Sequence, residues 1–426
     1  MTRLAIIGTG YVGLTTGACF AHLGHDVVCA DIDPVKVERL SRGEIPIVEH
    51  RLDELVNRGL KRGNLRFVLG AAAAVTDCEI AFLCVPTPQG DDGSADLSYV
   101  ESAAREIAAL LPYEAIVVNK STVPVGSTKV VERVLKRPDV RVVSNPEFLR
   151  EGSAVDDFLK PDRVVVGCDD RAAAIAVGAL YESIRPQVIV TDPASAETIK
   201  YAANAFLATK LSFINAIAAI CEGVGADVND VVVGMGYDKR IGTEFLRPGP
   251  GWGGSCFPKD SRALLKIANE AGYRFDLLAG VIAVNDEQLD RVAGKIATGA
   301  GGSLDGKTVA VWGLTFKART DDLRDSPSVA IINRLLASGA TVRGFDPTVA
   351  EMKPGLPASL VVCADPFEAA QGADVLAVLT EWDDFRWLEP EKVAAVMAGR
   401  HVVDGRNLLD RADWHRAGFT TDGIGR

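Results

Sequence analysis

Short apolar runs rich in β-branched residues alternate with longer helical stretches, and this alternation constrains the fold more than any other feature of the chain. The runs are almost continuously apolar, which is typical of parallel strands buried on both faces. We therefore expect a parallel sheet covered by helices on both sides. The predicted strands are 4–7, 26–30, 79–85, 115–121, 140–144 and 163–167, and the predicted helices are 13–24, 97–111, 126–136 and 170–184.

The pattern changes at Ala194, where a long run rich in Ala, Leu and Ile begins. Its polar residues recur at helical intervals and glycine stands at its end, which predicts one long helix. More helical sequence follows over 261–297, and the glycine-rich stretch 299–306 reads as a linker. Strand-like runs then resume. The chain is therefore predicted to consist of an α/β part, a helical spine and a second α/β part. The later predicted strands lie in KTVAVWGL, ATVRGFDP, SLVVCAD, DVLAVLT and HVVDGR.

Charge limits the classes of partner. The chain has 426 residues and a formal net charge of −11. Nucleic acids and anionic membrane surfaces need dense Lys/Arg faces, so neither is expected as a partner. An anionic ligand must therefore be held by a local pocket.

The lengths of the apolar runs indicate whether the chain has a membrane-spanning segment. No apolar stretch approaches the length that a bilayer span needs, and the first strand-like run begins at Leu4, which leaves no room for a secretory signal. No membrane partner is therefore expected.

The cysteines are scattered singly, without a CxxC pair. This spacing is poor for a disulfide framework or a metal site, and it fits a reducing compartment, so we expect a cytoplasmic protein without a bound metal. The cysteines are Cys19, Cys29, Cys78, Cys84, Cys168, Cys221, Cys256 and Cys363.

The segment LAIIGTGYVG carries G-x-G-x-x-G at Gly8, Gly10 and Gly13. It follows a predicted strand and opens a predicted helix, which is the context of a dinucleotide-binding turn. Asp31 ends the second strand, where a carboxylate accepts hydrogen bonds from the adenosine ribose and repels a 2′-phosphate. The pattern therefore predicts NAD rather than NADP; a glycine-rich turn without cofactor is the alternative.

Cys256 lies in GWGGSCFPKD, ahead of a helix for which Asp260 or Ser261 is the predicted cap. A helix N-terminus and the neighbouring Lys259 both favour the nucleophilic thiolate, although a buried, inert cysteine is an even alternative on local sequence alone. A cysteine nucleophile beside a nicotinamide site predicts oxidation to the acid level, because a trapped aldehyde can lose a second hydride and become a thioester.

Several motifs, found in order along the whole chain, resemble the UDP-glucose 6-dehydrogenase family. This family belongs to the wider nucleotide-sugar dehydrogenases, which include GDP-mannose and UDP-N-acetylmannosamine enzymes. The motifs are GTGYVGL, STVPVG, NPEFLREG, ETIKYAANAFLATKLSFIN, DKRIGTEFLRPGPGWGGSCFPKD and FKARTDDLRDSP.

The resemblance implies an α/β fold with two Rossmann-like parallel-sheet domains, joined by a long central helix and a helical spine that forms the core of a homodimer or higher homo-oligomer. The implied domains are NAD-binding (1–194), central helical (195–300) and UDP-sugar-binding (301–426). The implied reaction is the NAD-dependent oxidation of UDP-glucose to UDP-glucuronate, with two NAD reduced per turnover.

The resemblance also implies catalytic roles. Cys256 would be the nucleophile, and Lys200 with Asn204 would stabilise the oxyanion. Asp260 and Thr122 would hold a catalytic water, and Glu147 would act as the base in thioester hydrolysis. Taken singly, Lys200 and Glu147 would more often be surface residues, and only the joint motif favours these roles.

The binding residues implied by the resemblance fall into two sets. The cofactor set is Gly8, Gly10, Tyr11, Val12, Gly13, Asp31, Lys36, Thr122, Glu151, Lys259 and Arg324. The substrate set is Glu147, Phe148, Leu149, Arg150, Glu151, Lys200, Asn204, Arg240, Phe245, Leu246, Arg247, Pro248, Gly249, Gly253 and Lys317, with Arg240 reaching the sugar nucleotide of the partner subunit.

Two alternatives stay open. One is a GDP-mannose or UDP-N-acetylmannosamine dehydrogenase, although FLRPGPGWGGSCFPKD and DKRIG favour the UDP-glucose branch. The other is a protein that binds sugar nucleotide or NAD without catalysis. The joint presence of Cys256, Lys200, Asp260 and Glu147 speaks against the second.

Overall fold

The computed structural model describes residues 1–90 and 93–426. The chain divides into two compact units, each built from two segments. Unit 1 is Met1–Ala203 with Arg262–Ala271, and unit 2 is Asn204–Ser261 with Gly272–Arg426. The division into three domains at 194 and 300 stays a prediction.

Unit 1 contains a sheet with the strand order β3-β2-β1-β4-β5-β6-β7-β8. The strand order reverses at β1, which opens a crevice at the carboxyl end of that strand. The strands are β1 (Arg3–Ile7), β2 (Asp26–Asp31), β3 (Leu65–Leu69), β4 (Ile80–Leu83), β5 (Ile116–Asn119), β6 (Arg141–Ser144), β7 (Val164–Gly167) and β8 (Val188–Thr191).

Helices pack against the strands of unit 1, and two hydrophobic clusters line the sheet. Strands β4 and β7 are buried throughout, as their apolar sequences predict. The helices are α1 (Tyr11–His22), α2 (Pro34–Ser41), α3 (Leu52–Arg62), α4 (Ala72–Val75), α5 (Ser98–Ile107), α6 (Ser127–Leu135), α7 (Ala154–Leu159) and α8 (Arg171–Ala179), followed by a 3₁₀ turn (Glu182–Ile184).

One strand pair departs from the predicted parallel sheet. β6 and β7 run antiparallel and meet at the pair Ser144 and Gly167. Consecutive antiparallel strands need no crossover to return the chain to the same end of the sheet, so the intervening segment stays at the carboxyl end of β6. That segment, residues 145–163, contains NPEFLREG.

The predicted long helix is α9 (Pro193–Val224). By length and hydropathy it could cross a membrane, which contradicts the expectation that no apolar stretch is long enough. Within the protein 44% of its most apolar 18-residue segment is buried, and core helices of water-soluble proteins can have the same length and hydropathy.

Unit 2 holds the second sheet, in which every pairing is parallel, in the order β11-β10-β9-β12-β13-β14. This arrangement confirms the predicted α/β class with two Rossmann-like sheets and a long central helix. The strands are β9 (Thr308–Trp312), β10 (Thr341–Phe345), β11 (Val361–Val362), β12 (Val375–Val378), β13 (His401–Asp404) and β14 (Thr420–Gly423). The remaining helices are α10 (Val228–Gly236), α11 (Phe257–Glu270), α12 (Asp276–Gly299), α13 (Pro327–Ala337), α14 (Pro366–Ala370), α15 (Asp383–Arg386), α16 (Pro390–Val396) and α17 (Arg411–Arg416).

Candidate active site

The turn between β1 and α1 has the geometry that a bound pyrophosphate requires. Gly8 has φ +94°, a left-handed conformation that favours glycine. A Cβ on Gly13 would lie 1.9 Å from the carbonyl oxygen of Gly8, whereas a Cβ on Gly10 would meet nothing within 4 Å. Gly13 is therefore needed for helix packing, and the open space at Gly10 lets a ligand approach the backbone. Tyr11 and Val12 begin α1, so their backbone amides are at the helix N-terminus. The turn as a whole therefore fits the pyrophosphate of NAD.

Asp31 ends β2 beside this turn. Its carboxylate accepts hydrogen bonds from the amide and hydroxyl of Thr9 and from Lys36, whose Nζ lies 2.9 Å away. Partial burial would raise the pKa of Asp31, but the hydrogen bonds from Thr9 and Lys36 lower it to about 2. Asp31 is therefore ionised at neutral pH and can accept hydrogen bonds from ribose hydroxyls.

Glu147 and Lys200 form a buried ion pair in unit 1. Glu147 follows β6, and Lys200 lies on α9. Their Oε1 and Nζ atoms are 2.9 Å apart, with side-chain exposures of 5% and 4%. The other oxygen of Glu147 accepts the amide of Leu149 at 2.6 Å. The alternative that Lys200 and Glu147 are solvent-exposed surface residues is therefore excluded.

The charge state of Glu147 is set by competing effects. Burial by itself would raise the pKa of this carboxyl group. The charge and hydrogen bond of Lys200, the Leu149 amide and the charge of Lys120 outweigh burial and hold the pKa below its usual value. Glu147 is therefore a buried carboxylate ready to accept a proton.

The loop after Glu147 is held by other charged groups. The guanidinium of Arg163 lies 3.6 Å from the ring centroid of Phe148, a cation–π contact. Arg150 pairs with Asp157 at 2.6 Å, and Glu151 follows in the turn before α7. Thr122, also in unit 1, is buried in the loop after β5, and its carbonyl accepts the hydroxyl of Thr87 at 2.9 Å.

In unit 2, Cys256 directly precedes α11. Its carbonyl accepts the amide of Asp260 at 2.9 Å, and its Sγ lies 3.6 Å from the hydroxyl of Ser255. The helix begins at Phe257, so the prediction that Asp260 or Ser261 caps it was wrong. Because the FPKD residues themselves form the first turn, Cys256 lies closer to the helix N-terminus than the sequence indicated.

Asp260 is fully buried and accepts two hydrogen bonds. Asn204 Nδ2 lies 2.6 Å from one carboxylate oxygen, and Lys259 Nζ lies 2.7 Å from the other. Asn204 comes one helical turn after Lys200 on α9, as predicted. In unit 2, Asp260 therefore links Lys259, on its own helix α11, with Asn204 on α9.

Buried polar residues that the sequence reading missed fix the glycine-rich loop before Cys256. Asn215 Oδ1 accepts the amide of Gly249, and Gln288 donates to its carbonyl. Asn285 accepts the amide of Trp252, whose indole NH donates to Ser212. An isolated polar residue in an apolar helical run, such as Asn215 in LSFINAIAAI, is the signal that could have found them.

The other residues predicted for binding in unit 2 differ in exposure. Leu246, Pro248 and Gly249 are buried, and a Cβ on Gly253 would lie 1.9 Å from the carbonyl oxygen of Asp325. Phe245 adopts a left-handed conformation, Arg247 is exposed, and the Nζ of Lys317 lies 5.4 Å from the Phe316 ring centroid.

Two predicted arginines lie in exposed ion pairs. Arg324 pairs with Asp322, and Arg240 pairs with Asp238. The Arg240 side chain is 89% exposed, and it donates hydrogen bonds to the carboxylate of Asp238.

Arg406 was missed by the sequence reading. It follows β13 in HVVDGR and donates to the carbonyl oxygens of Leu379 and Phe316. A Cβ on Gly249 would lie 3.3 Å from its guanidinium. Arg406 also pairs with Glu381 at 3.0 Å, so it ties together two segments predicted for sugar-nucleotide binding while its own charge is partly compensated.

Comparison with known proteins assigns the chain to a family. Residues 2–185 match the NAD binding domain of the UDP-glucose/GDP-mannose dehydrogenase family, residues 194–287 its central domain and residues 310–411 its UDP binding domain. The chain belongs to this family. The membership confirms the resemblance read from the motifs, and the NAD binding domain confirms NAD as the cofactor.

The UDP-glucose/GDP-mannose dehydrogenase family includes relatives that match this chain over its full length. The UDP-glucose 6-dehydrogenase of Rhizobium meliloti is 46% identical, with 100% of this chain and 99% of the relative covered. That of Pseudomonas aeruginosa is 44% identical, with 100% and 97% covered.

Solved structures of the family are also similar. A UDP-glucose dehydrogenase from Pyrobaculum islandicum has a TM-score of 0.92 at 38% identity, with 100% of this chain and 98% of that chain covered. A UDP-D-ManNAc dehydrogenase from Pyrococcus horikoshii has a TM-score of 0.88 at 28% identity, with 100% and 99% covered.

Proposed function

We propose that this chain oxidises UDP-glucose to UDP-glucuronate with two NAD, through a thioester on Cys256. The observation that carries the proposal is the position of Cys256 at the start of α11, one helical turn before the buried Asp260. A thiolate is stabilised at a helix N-terminus, and a nucleophile is what a four-electron oxidation of an alcohol to an acid needs.

In the first half of the reaction the C6 alcohol becomes an aldehyde. NAD, when bound, accepts a hydride in each of the two oxidations. The hydroxyl proton passes to a water for which Asp260 and Thr122 are the proposed partners. The Cys256 thiolate then adds to the aldehyde carbon, and the carbonyl electron pair moves to oxygen. Lys200, with Asn204, stabilises this oxyanion.

In the second half the acid is formed and the enzyme restored. A second hydride leaves C6 as the C=O bond re-forms, which gives the thioester. Glu147 takes a proton from water while the water oxygen adds to the thioester carbon, and the C–S bond breaks to return the thiolate. One water is consumed, and two hydrides and three protons are released.

UDP-glucose is favoured over other sugar nucleotides. The relatives named UDP-glucose 6-dehydrogenase are 38–46% identical, whereas a UDP-D-ManNAc dehydrogenase is 28% and a GDP-mannose dehydrogenase 30% identical. In this proposal Phe245 to Gly249, Gly253, Lys317 and the loop 148–150 hold the sugar nucleotide. Glu151, Lys259 and Arg324 contact NAD together with Lys36.

A stoichiometric assay tests the function. The protein is mixed with limiting UDP-glucose and excess NAD, and NADH is followed by its absorbance. We expect two NADH per UDP-glucose and smaller rates with GDP-mannose or UDP-N-acetylmannosamine. One NADH per sugar would contradict the thioester route, and no NADH with any sugar nucleotide would leave only a binding protein.

We further propose a homodimer formed through α9. Phe206, Phe213 and Ile220 are 65%, 47% and 58% exposed, and their seven-residue spacing puts them on one face of the helix. A second copy of this chain would cover that face, and Arg240 would then reach the partner's sugar nucleotide.

Light scattering should give a mass of at least twice the 45.2 kDa of one chain, and Phe213→Asp should lower that mass. A monomeric, fully active protein would contradict both the homodimer and the role of Arg240.

The cytoplasm is the proposed location. No cysteine of the described residues takes part in a disulfide. Six of the eight are buried, and Cys168 and Cys256 are partly exposed. A reactive thiolate also needs a reducing compartment to stay unoxidised.

A further inference from the structure

Unit 1 contains a second buried lysine that the mechanism above does not use. Lys120 directly follows β5 and is 4% exposed. A lysine this deeply buried is rare unless other groups compensate for its charge. The compensating groups therefore indicate what Lys120 does.

Lys120 is hydrogen-bonded to two side chains. Its Nζ donates to Asn145 Oδ1 at 3.0 Å and to the hydroxyl of Tyr181 at 3.1 Å. The Tyr181 hydroxyl in turn donates to Asn145 Oδ1 at 2.8 Å. Asn145 is anchored further, since its Nδ2 donates to the carbonyl of Val165 and its backbone amide to that of Asn119.

This network lies at the base of the segment that carries Glu147. Asn145 is separated from Glu147 by Pro146 alone, so fixing Asn145 also limits where the carboxylate can lie. Lys120 therefore ties the end of β5 to the segment after β6. The hydrogen bonds run entirely between buried groups, where they are worth more than at the surface.

Lys120 also acts on Glu147 through its charge. Burial lowers the pKa of Lys120 to about 8, with Lys200 acting in the same direction and Cys84 and Glu147 opposing it. The ammonium therefore carries its charge at neutral pH. Its field in turn contributes to the lowered pKa of Glu147.

We propose that Lys120 is a positioning residue for Glu147, a second buried cation that keeps this carboxylate ionised while Lys200 serves the oxyanion. The proposal rests on the proposed function, because Glu147 must be the base in thioester hydrolysis. Lys200 alone cannot fully compensate the charges of both the Glu147 carboxylate and the oxyanion of the reacting sugar. A buried carboxylate without a compensating cation would take up a proton. A protonated Glu147 could not accept the proton of the attacking water.

The test compares Lys120→Met with the unaltered protein across pH. The expected result is an acid limb of the kcat profile displaced upward by about one pH unit, because an opposite charge shifts a carboxylate by at least that much. The full loss, about tenfold in kcat, is reached only at pH values below the pKa of Glu147 in both proteins. The difference disappears as the pH rises to neutral, with little change in KM. Acid-quenched mass spectrometry should find the thioester on the Cys256 peptide of Lys120→Met at the low pH values where its kcat is reduced.

Tyr181→Phe is the matched control, because it removes one hydrogen bond of the network and keeps the charge. It should retain the pH profile of the unaltered protein. Lys120→Gln keeps a hydrogen-bond donor without the charge and should behave like Lys120→Met. It takes the place of Lys120→Met if that protein does not fold. A pH-independent loss in the folded Lys120 variants, or the same displacement in Tyr181→Phe, would overturn the proposal.

Glu147→Gln separates this failure from that of the proposed function. It should accumulate the thioester at every pH. If it does so while the Lys120 variants keep the original pH profile, Lys120 alone is wrong. If Glu147→Gln carries no thioester, Glu147 is not the base and both assignments fall.

Discussion

Cys256→Ser is expected to lose at least about a thousandfold in kcat for NADH formation while keeping its affinity for NAD. A serine hydroxyl at the start of α11 has no thiolate to add to the aldehyde, and an ester formed on it would have a poorer leaving group than the thioester. NAD binding should survive because the substitution leaves the Gly8–Gly13 turn and Asp31 of unit 1 unchanged. Steady-state kinetics and NAD titration measure the two effects.

Cys168→Ser is the control for this substitution. Cys168 is the other cysteine that is not fully buried, and it lies in a turn after β7. We expect it to keep kcat within about twofold, since a serine hydroxyl can replace the hydrogen bonds that the Cys168 thiol makes with Val142 and Asp170. Equal losses in the two variants would mean that thiol removal acts through stability, and loss of NAD affinity in Cys256→Ser would mean that the nucleophile is misplaced.

The second large effect concerns the Glu147–Lys200 pair. Lys200→Met should lower the free energy of unfolding by roughly 3–5 kcal/mol at neutral pH, because it leaves a buried carboxylate without its nearest partner. Lys200→Met/Glu147→Gln should recover much of that stability, since the buried carboxylate is removed together with Lys200 while Lys120 keeps its hydrogen bonds to Asn145 and Tyr181. Urea unfolding of both variants measures this difference, and kcat should fall by at least about a hundredfold in both.

The pH dependence of that experiment follows from the sign of the pKa shift. In the native protein the pKa of Glu147 is lowered, so the pair stabilises the fold above the carboxyl's ordinary pKa and loses this effect as pH falls. In Lys200→Met burial raises the pKa instead, and protonation relieves the unpaired charge. The stability gap between the single and double variants should therefore shrink at low pH; a gap that is constant with pH would contradict the ion-pair account.

The sequence predicted most of what depends on apolar runs. The strands β1, β4, β6 and β9 and the long helix α9 are where the hydrophobic pattern put them, because continuous burial needs continuous apolar sequence. The glycine turn at Gly8 was equally readable, since backbone geometry there excludes a side chain.

Other features depend on contacts that are distant in sequence. α3 was missed because its apolar residues Leu52, Leu55 and Val56 face one side of an otherwise polar segment. The start of α11 was misplaced because FPKD has no strong helix signal, and the antiparallel β6–β7 pair is a property of the whole sheet. Lys120 was missed because it ends an apolar strand, where only the network around Asn145 reveals its burial.

The central claim is tested most directly by the mass of the Cys256 peptide during turnover with UDP-glucose and NAD. In acid-quenched, protease-digested samples of Glu147→Gln, we expect this peptide to gain the mass of the sugar nucleotide bound as a thioester, with the other cysteine peptides unchanged. The adduct should be released by hydroxylamine, which cleaves thioesters. An unmodified Cys256 peptide in a variant that still produces NADH would contradict the account.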